Sequence, residues 1–243
     1  VILDPTRPYR NAAGGEELRD TLCRESVTYT VRRNNIEVAA SHRFCNAAPV
    51  TIAIYYGMQS MFEGETHVLT PGGAYTDWTE AAKASTFTKQ EYPLFRRYVE
   101  KNRQGYQSTW LLPDGLGDHA LLDGQDDIFI YAPYGKSYHK LIGNKRMENG
   151  DKTCWRGVYT WFETPVADDA DLLCYEGSAG GHTAVFIDCK RACKRTLALP
   201  GYLDLRHFGT AEQNGGIRIS AAGRNKLKIK ADAPGSCVLL LRE

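Results

Sequence analysis

Residues 154–163, CWRGVYTWFE, set Trp155, Tyr159, Trp161 and Glu163 at odd positions with Gly157 among them. On an extended strand alternate side chains share a face, so this segment presents a row of flat rings that ends in a carboxylate. Indole and phenol rings stack on the C–H faces of sugars, while a neighbouring carboxylate takes hydroxyls. That is the chemistry of a saccharide platform. The same alternation also fills the space between two sheets, because aromatic side chains pack well on a pleated surface. Both readings stand at this point. Glu163 marks the end expected to meet solvent or a cleft, since a buried carboxylate needs a partner.

Other clusters could supply protons or ligands. LPDGLGDHALLDGQDD (112–127) crowds Asp114, Asp118, His119, Asp123, Asp126 and Asp127 among three glycines. Carboxylates in such a loop can hold Ca²⁺, which takes six to eight oxygen ligands, although the spacing is not that of an EF-hand and a solvated acidic loop is the plainer reading. Asp118 and His119 could instead act as an acid/base pair, the carboxylate orienting the ring. YAPYGKSYHK (131–140), read as a loop after an apolar strand, gathers Tyr131 and Tyr134 with Lys136, Tyr138 and His139, a set suited to sugars, anionic ones especially, although plain loop packing is the simpler reading. GSAGGHTAVFID (177–188) delivers His182 from a glycine-rich turn to the start of a strand, where it could act as an acid or base, although a turn histidine without function is the plainer reading. No helix follows those glycines, and no GxSxG elbow is present, so dinucleotide binding and serine hydrolase chemistry find no support. The histidines lack HxH and HExxH spacing, which excludes the usual catalytic zinc signatures. Candidate proton-transfer groups are therefore His119, His182, Glu163 and Asp118. Candidate sugar contacts are Trp155, Tyr159, Trp161, Tyr131 and Tyr134. No metal or cofactor is expected beyond the Ca²⁺ reading of the acidic loop.

The elements that must position these groups read as strands. Val27, Tyr29 and Val31 alternate with Thr28, Thr30 and Arg32, a period of two. Arg33-Asn34-Asn35 then supplies a turn, since Asn tolerates positive φ. Ile36, Val38, Ala40, His42 and Phe44 share a face of the next strand, with His42 read as a hydrogen-bonded core or edge histidine. VTIAIYYGMQSMF (50–62) is apolar on both faces, the pattern of a central strand. Helical signal is confined to DWTEAAKAS (77–85) and KQEYPLFRRYVEKNR (89–103). The expected fold is all-β, an antiparallel β-sandwich over residues 1–243 as one domain, with 63–126 a loop and short-helix insertion. Chains of about 200–250 residues routinely form one all-β domain. A formal net charge of +1 argues against nucleic acid as the partner, because such domains show a basic excess. No apolar run reaches the roughly 20 residues that span a bilayer. Seven cysteines, an odd number without a CxxC pair, read as mostly free, buried thiols.

The segment from Asn34 to Phe62, NNIEVAASHRFCNAAPVTIAIYYGMQSMF, resembles the early strands of the galactose mutarotase-like β-supersandwich proteins. It shares with them a strand, a short Pro-Val turn, a second apolar strand, then a glycine and a terminal aromatic residue. The resemblance implies a sugar-facing sandwich, with Gln59 at the sugar site. Where those proteins place a histidine before the aromatic residue, this chain has Gln59-Ser60-Met61-Phe62, so the acid of the epimerase reaction has no counterpart there. Together these readings favour a carbohydrate-binding or accessory sandwich of a polysaccharide-processing system. The alternatives are a lyase, hydrolase or epimerase using His and carboxylate groups, and a purely structural or interaction sandwich. The carbohydrate reading favours a secreted or periplasmic setting, against which the free thiols weigh.

Overall fold

KLKIKA, residues 226–231, alternates exposed and buried along its whole length, the signature of a strand with one wet face. LLCYEGSA (172–179) and HTAVFIDC (182–189) instead bury side chains on both faces, as strands do when a layer covers each side. These two patterns define the architecture. The structure is a computed structural model and describes residues 2–3, 21–61, 67–70, 73–75, 96–100, 105–112, 129–131, 136–213 and 216–241. The described residues form an all-β, antiparallel fold of four sheets. Their only helical turn is a 3-10 turn, Leu205–His207, capped by the Asp204 side chain.

The large sheet has eight strands in the order β1 (Ile2–Leu3), β2 (Cys23–Arg32), β3 (Asn35–Phe44), β11 (Lys152–Phe162), β8 (Tyr106–Leu111), β7 (Arg96–Glu100), β5 (His67–Thr70), β6 (Gly73–Tyr75). A cover sheet runs β4 (Val50–Met61), β10 (Lys136–Met147), β9 (Phe129–Tyr131). An inner sheet runs β12 (Ala167–Asp168), β13 (Leu172–Ala179), β14 (His182–Cys189), β19 (Gly235–Leu241), β16 (Phe208–Gln213). An outer sheet runs β15 (Cys193–Ala198), β18 (Lys226–Ala231), β17 (Arg218–Gly223).

The layers follow from which residues bury which. Leu173, Tyr175, Ala184, Phe186 and Val238 of the inner sheet pack with Tyr106, Trp110 and Val158 of the large sheet. The alternate inner-sheet residues, Leu172, Cys174, Val185, Ile187, Cys237 and Leu239, pack with Leu227 and Ile229 of the outer sheet. On its opposite face the large sheet meets β4 through Gly157, where an added Cβ would overlap Met58 Sδ and lie 2.8 Å from Met58 Cε. His42 is buried at that boundary, its ring nitrogens 3.1 Å from Thr153 Oγ1 and 3.2 Å from Glu25 Oε1, as expected for a core histidine. All seven cysteines are free thiols, with Cys189 and Cys193 sulfurs 3.9 Å apart.

Three expectations change. Residues 96–100, within the segment read as a helix at 89–103, form strand β7 and pair with β8. The chain returns through Gly105 at φ 88, and the hydrogen bonds of that pairing override a weak helical spacing. The 77–85 segment lies outside the described residues. The stretch 63–126 contributes β5, β6, β7 and β8 to the large sheet, and β8 pairs directly with β11. β4 pairs with β10 alone among the described strands, so it is not the central strand that its apolar run suggested; Tyr55 and Met58 pack it against the large sheet.

Candidate functional site

Strand β11 divides the aromatic row into a buried half and an open half. Trp155 is 6% exposed, and its indole N–H donates to the Tyr55 hydroxyl at 2.9 Å. Burial pushes the Tyr55 phenol up to about 12. Gly157 leaves room for Met58. Beyond this point the cover recedes. The half-buried Tyr159 accepts a hydrogen bond at its hydroxyl from the backbone N–H of Gln59 at 3.0 Å. Trp161 is 39% exposed, and its ring stacks beside Tyr159 with centroids 6.0 Å apart and planes 18° off parallel. The register carries Val31 and Ile36 into line with Tyr159, and Tyr29 and Val38 into line with Gly157. Tyr29 and Val31 are exposed as well. Trp161, Tyr159 and the Gln59 end of β4 thus form a ledge that exposes part of the Trp161 indole and fixes the Tyr159 hydroxyl.

The even-numbered residues of β11 face the inner sheet. Phe162 stacks on Tyr175 with centroids 4.4 Å apart, and Thr160 donates to Asn35 Oδ1 at 2.7 Å. Asn35 also donates to Ser178 O at 2.7 Å and accepts from Ser178 N at 3.2 Å. This clamp brings the β2–β3 turn against β13 and leaves a cleft of about 410 Å³ between them. Arg32, Arg33, Glu176, His182, Tyr202 and Asp204 line it. Tyr202 donates to Glu176 Oε2 at 2.5 Å, and that bond, with some burial, raises the phenol above its ordinary range. Asp204 is held by Arg206 and Arg224; the Arg206 hydrogen bonds keep its carboxyl far below the usual carboxylate range. Arg32 donates to Gly181 O at 3.2 Å.

Of the residues singled out from sequence, the fold brings Tyr159, Trp161 and Gln59 together. Trp155 belongs to the core. His182 is exposed at the start of β14 and lines the cleft, on the opposite side of the large sheet from the ledge. Glu163 is exposed just past β11 and is not among the residues lining the cleft. Tyr131 pairs with Lys136, which pairs with Met61, two residues beyond Gln59. Asp118, His119 and Tyr134 lie outside the described residues, as does the acidic loop read for Ca²⁺. Among the described residues no group of three or more His, Cys, Asp or Glu side chains is placed to hold a metal ion, and no helix is long and apolar enough to cross a membrane.

Sequence reasoning passed over Arg33, Glu176 and Tyr202. The available signal was GYLDLR (201–206), a turn with an exposed aromatic residue between Gly201 and Asp204. Its partner strand is distant in sequence, so nothing local announced the cleft. Comparison with known protein families, with curated proteins and with solved structures returned no match.

Proposed function

We propose that the chain is a carbohydrate-binding or accessory β-sandwich of a polysaccharide-processing system. The ledge carries this reading. Trp161 exposes its ring beside a parallel Tyr159, and a large aromatic face is kept in water at a cost in apolar exposure. Stacking on the C–H face of a sugar recovers that cost. The bond from Gln59 N to Tyr159 fixes the phenol before a ligand arrives, so little rotamer freedom is lost on binding. The likeness of residues 34–62 to the galactose mutarotase-like sandwiches supports the same reading.

The enzymatic alternative has less support from the described residues. General acid/base chemistry needs two groups within reach of one bond, whereas His182 and Glu163 do not line a common cleft. The interaction-surface alternative rests on Tyr29 and Val31, exposed on the same face. A panel of neutral and acidic polysaccharides, read by Trp emission and by calorimetry, tests the proposal. Binding should perturb emission in the wild type and in Trp155→Phe, and Trp161→Ala should weaken it about tenfold, equivalent to about 1.4 kcal/mol. Binding that Trp161→Ala leaves intact removes the ledge from the account, and a panel without any ligand refutes the carbohydrate reading.

A further inference from the structure

The β2–β3 turn holds an anomaly. Arg33 sits at φ 42, the only non-glycine residue at positive φ among the described residues. The left-handed region is unfavourable for a side chain of this size, and residues held there cluster at functional sites. Glycine or asparagine would satisfy the turn without strain, and Asn34 is the next residue. The strained backbone delivers the Arg33 side chain to the cleft that Tyr202, Glu176 and His182 also line.

The charges of the cleft are unequally spent. Asp204 is already matched by Arg206 and Arg224. Glu176 gives one oxygen to the neutral Tyr202 hydroxyl. Neither Arg33 nor His182 forms an ion pair among the described residues, and Arg32 bonds only to the backbone carbonyl of Gly181. A guanidinium favours carboxylate or sulfate oxygens, a carboxylate accepts hydroxyls, and the Tyr202 ring, 69% exposed, offers a flat apolar face held by its bond to Glu176. A ligand that uses all three must carry an anionic group, adjacent hydroxyls and a C–H face on one small ring.

We propose that this cleft is a second binding site, distinct from the ledge, for an acidic saccharide: its carboxylate or sulfate lies against Arg33 and His182, its hydroxyls bond Glu176, and its ring stacks on Tyr202. The identification of the ligand as a saccharide rests on the carbohydrate reading above. The location does not, because the cleft and the ledge occupy opposite faces of the large sheet.

Calorimetry on the full chain with three probes of like length separates the outcomes: an oligogalacturonate, a sulfated oligosaccharide and a neutral gluco-oligosaccharide, the last a probe of the ledge. Arg33→Gly is the informative variant, since glycine suits that backbone and its Tm should equal or exceed the wild type. Tyr202→Ala changes an exposed side chain and is the second. Each should weaken the acidic probe about tenfold or more, leave the neutral probe unchanged, and reduce the salt dependence of acidic binding. The stronger of the two acidic probes identifies the anionic group. Acidic binding that survives both variants, or is lost only with Trp161→Ala, overturns the second site while leaving the ledge intact. No binding of any of the three probes overturns both.

Discussion

A methyl group has no room at Gly177. Its carbon would lie 2.8 Å from Asn35 Oδ1 and 3.0 Å from both Phe186 and Thr160 Oγ1, and each of those atoms is already committed. Asn35 is 2% exposed; two hydrogen bonds to Ser178 join it to the inner sheet, and a third, from Thr160, anchors it within the large sheet. Moving it strands buried polar groups, each costing about 1–3 kcal/mol. Gly177→Ala should therefore destabilise the chain by about 2 kcal/mol, read as a lower urea midpoint at unchanged slope. Gly201→Ala, where nothing lies within 4 Å of the added carbon, is the control and should be near neutral. The clamp also sets the width of the Tyr202 cleft, so the Gly177 variant should weaken acidic ligands more than neutral ones.

At the scale of elements, the strands were legible wherever the hydrophobic period was clean. β2, β3, β11, β14 and β18 announce themselves by alternation or by apolar runs. β7 did not, because Leu94, Tyr98 and Val99 satisfy a helical spacing while the pairing that makes Arg96–Glu100 a strand comes from β8. The turn at residues 33–35 was readable, yet positive φ falls on Arg33 and not on an asparagine, a choice made by tertiary contacts with β13. The aromatic row was read correctly as a row, but its division at Gly157 depends on where β4 lies, which no local pattern encodes. That packing has a consequence in alkali. Tyr55 of β4 accepts the Trp155 N–H, and burial lifts its phenol from 10.0 to about 12. A raised folded-state value means the protonated form is favoured by folding, so its contribution is complete below pH 10 and is lost as pH rises toward 12. The loss amounts to at most about 3 kcal/mol. Tyr55→Phe should start less stable, by about 1 kcal/mol for the unpaired indole N–H, and show a flatter decline of urea midpoint across that window.

At the scale of the whole molecule, the question is whether the large sheet with its cover and the inner sheet with its outer partner fold as one. Rings cross the boundary in series: Tyr106 on Phe162 at 4.8 Å, Phe162 on Tyr175 at 4.4 Å, Tyr175 on Phe186 at 4.8 Å, all within 8° of parallel. Polar links reinforce them, from Ser108 to the Tyr175 hydroxyl at 2.5 Å and from Gly180 N to Glu37 at 2.9 Å. Neither sheet can open without exposing the other's buried face, so unfolding should be a single cooperative transition. Two intrinsic probes report on different layers. Three of the four tryptophans, Trp110, Trp155 and Trp161, sit in the large sheet, whereas the thiols of Cys174, Cys189 and Cys237 lie buried in the core between inner and outer sheets. Burial raises the Cys174 and Cys189 thiols well above their ordinary range, so neither forms a reactive thiolate until the core opens. In urea, Trp emission and labelling of these three thiols should share one midpoint. Phe162→Ala removes the ring that spans the boundary and should lower both midpoints together, through a destabilisation of about 2–4 kcal/mol for a partly buried aromatic side chain. Thiols that react at lower urea than the Trp transition would show instead that the inner and outer sheets open as a separate unit, and Phe162→Ala would then widen that gap.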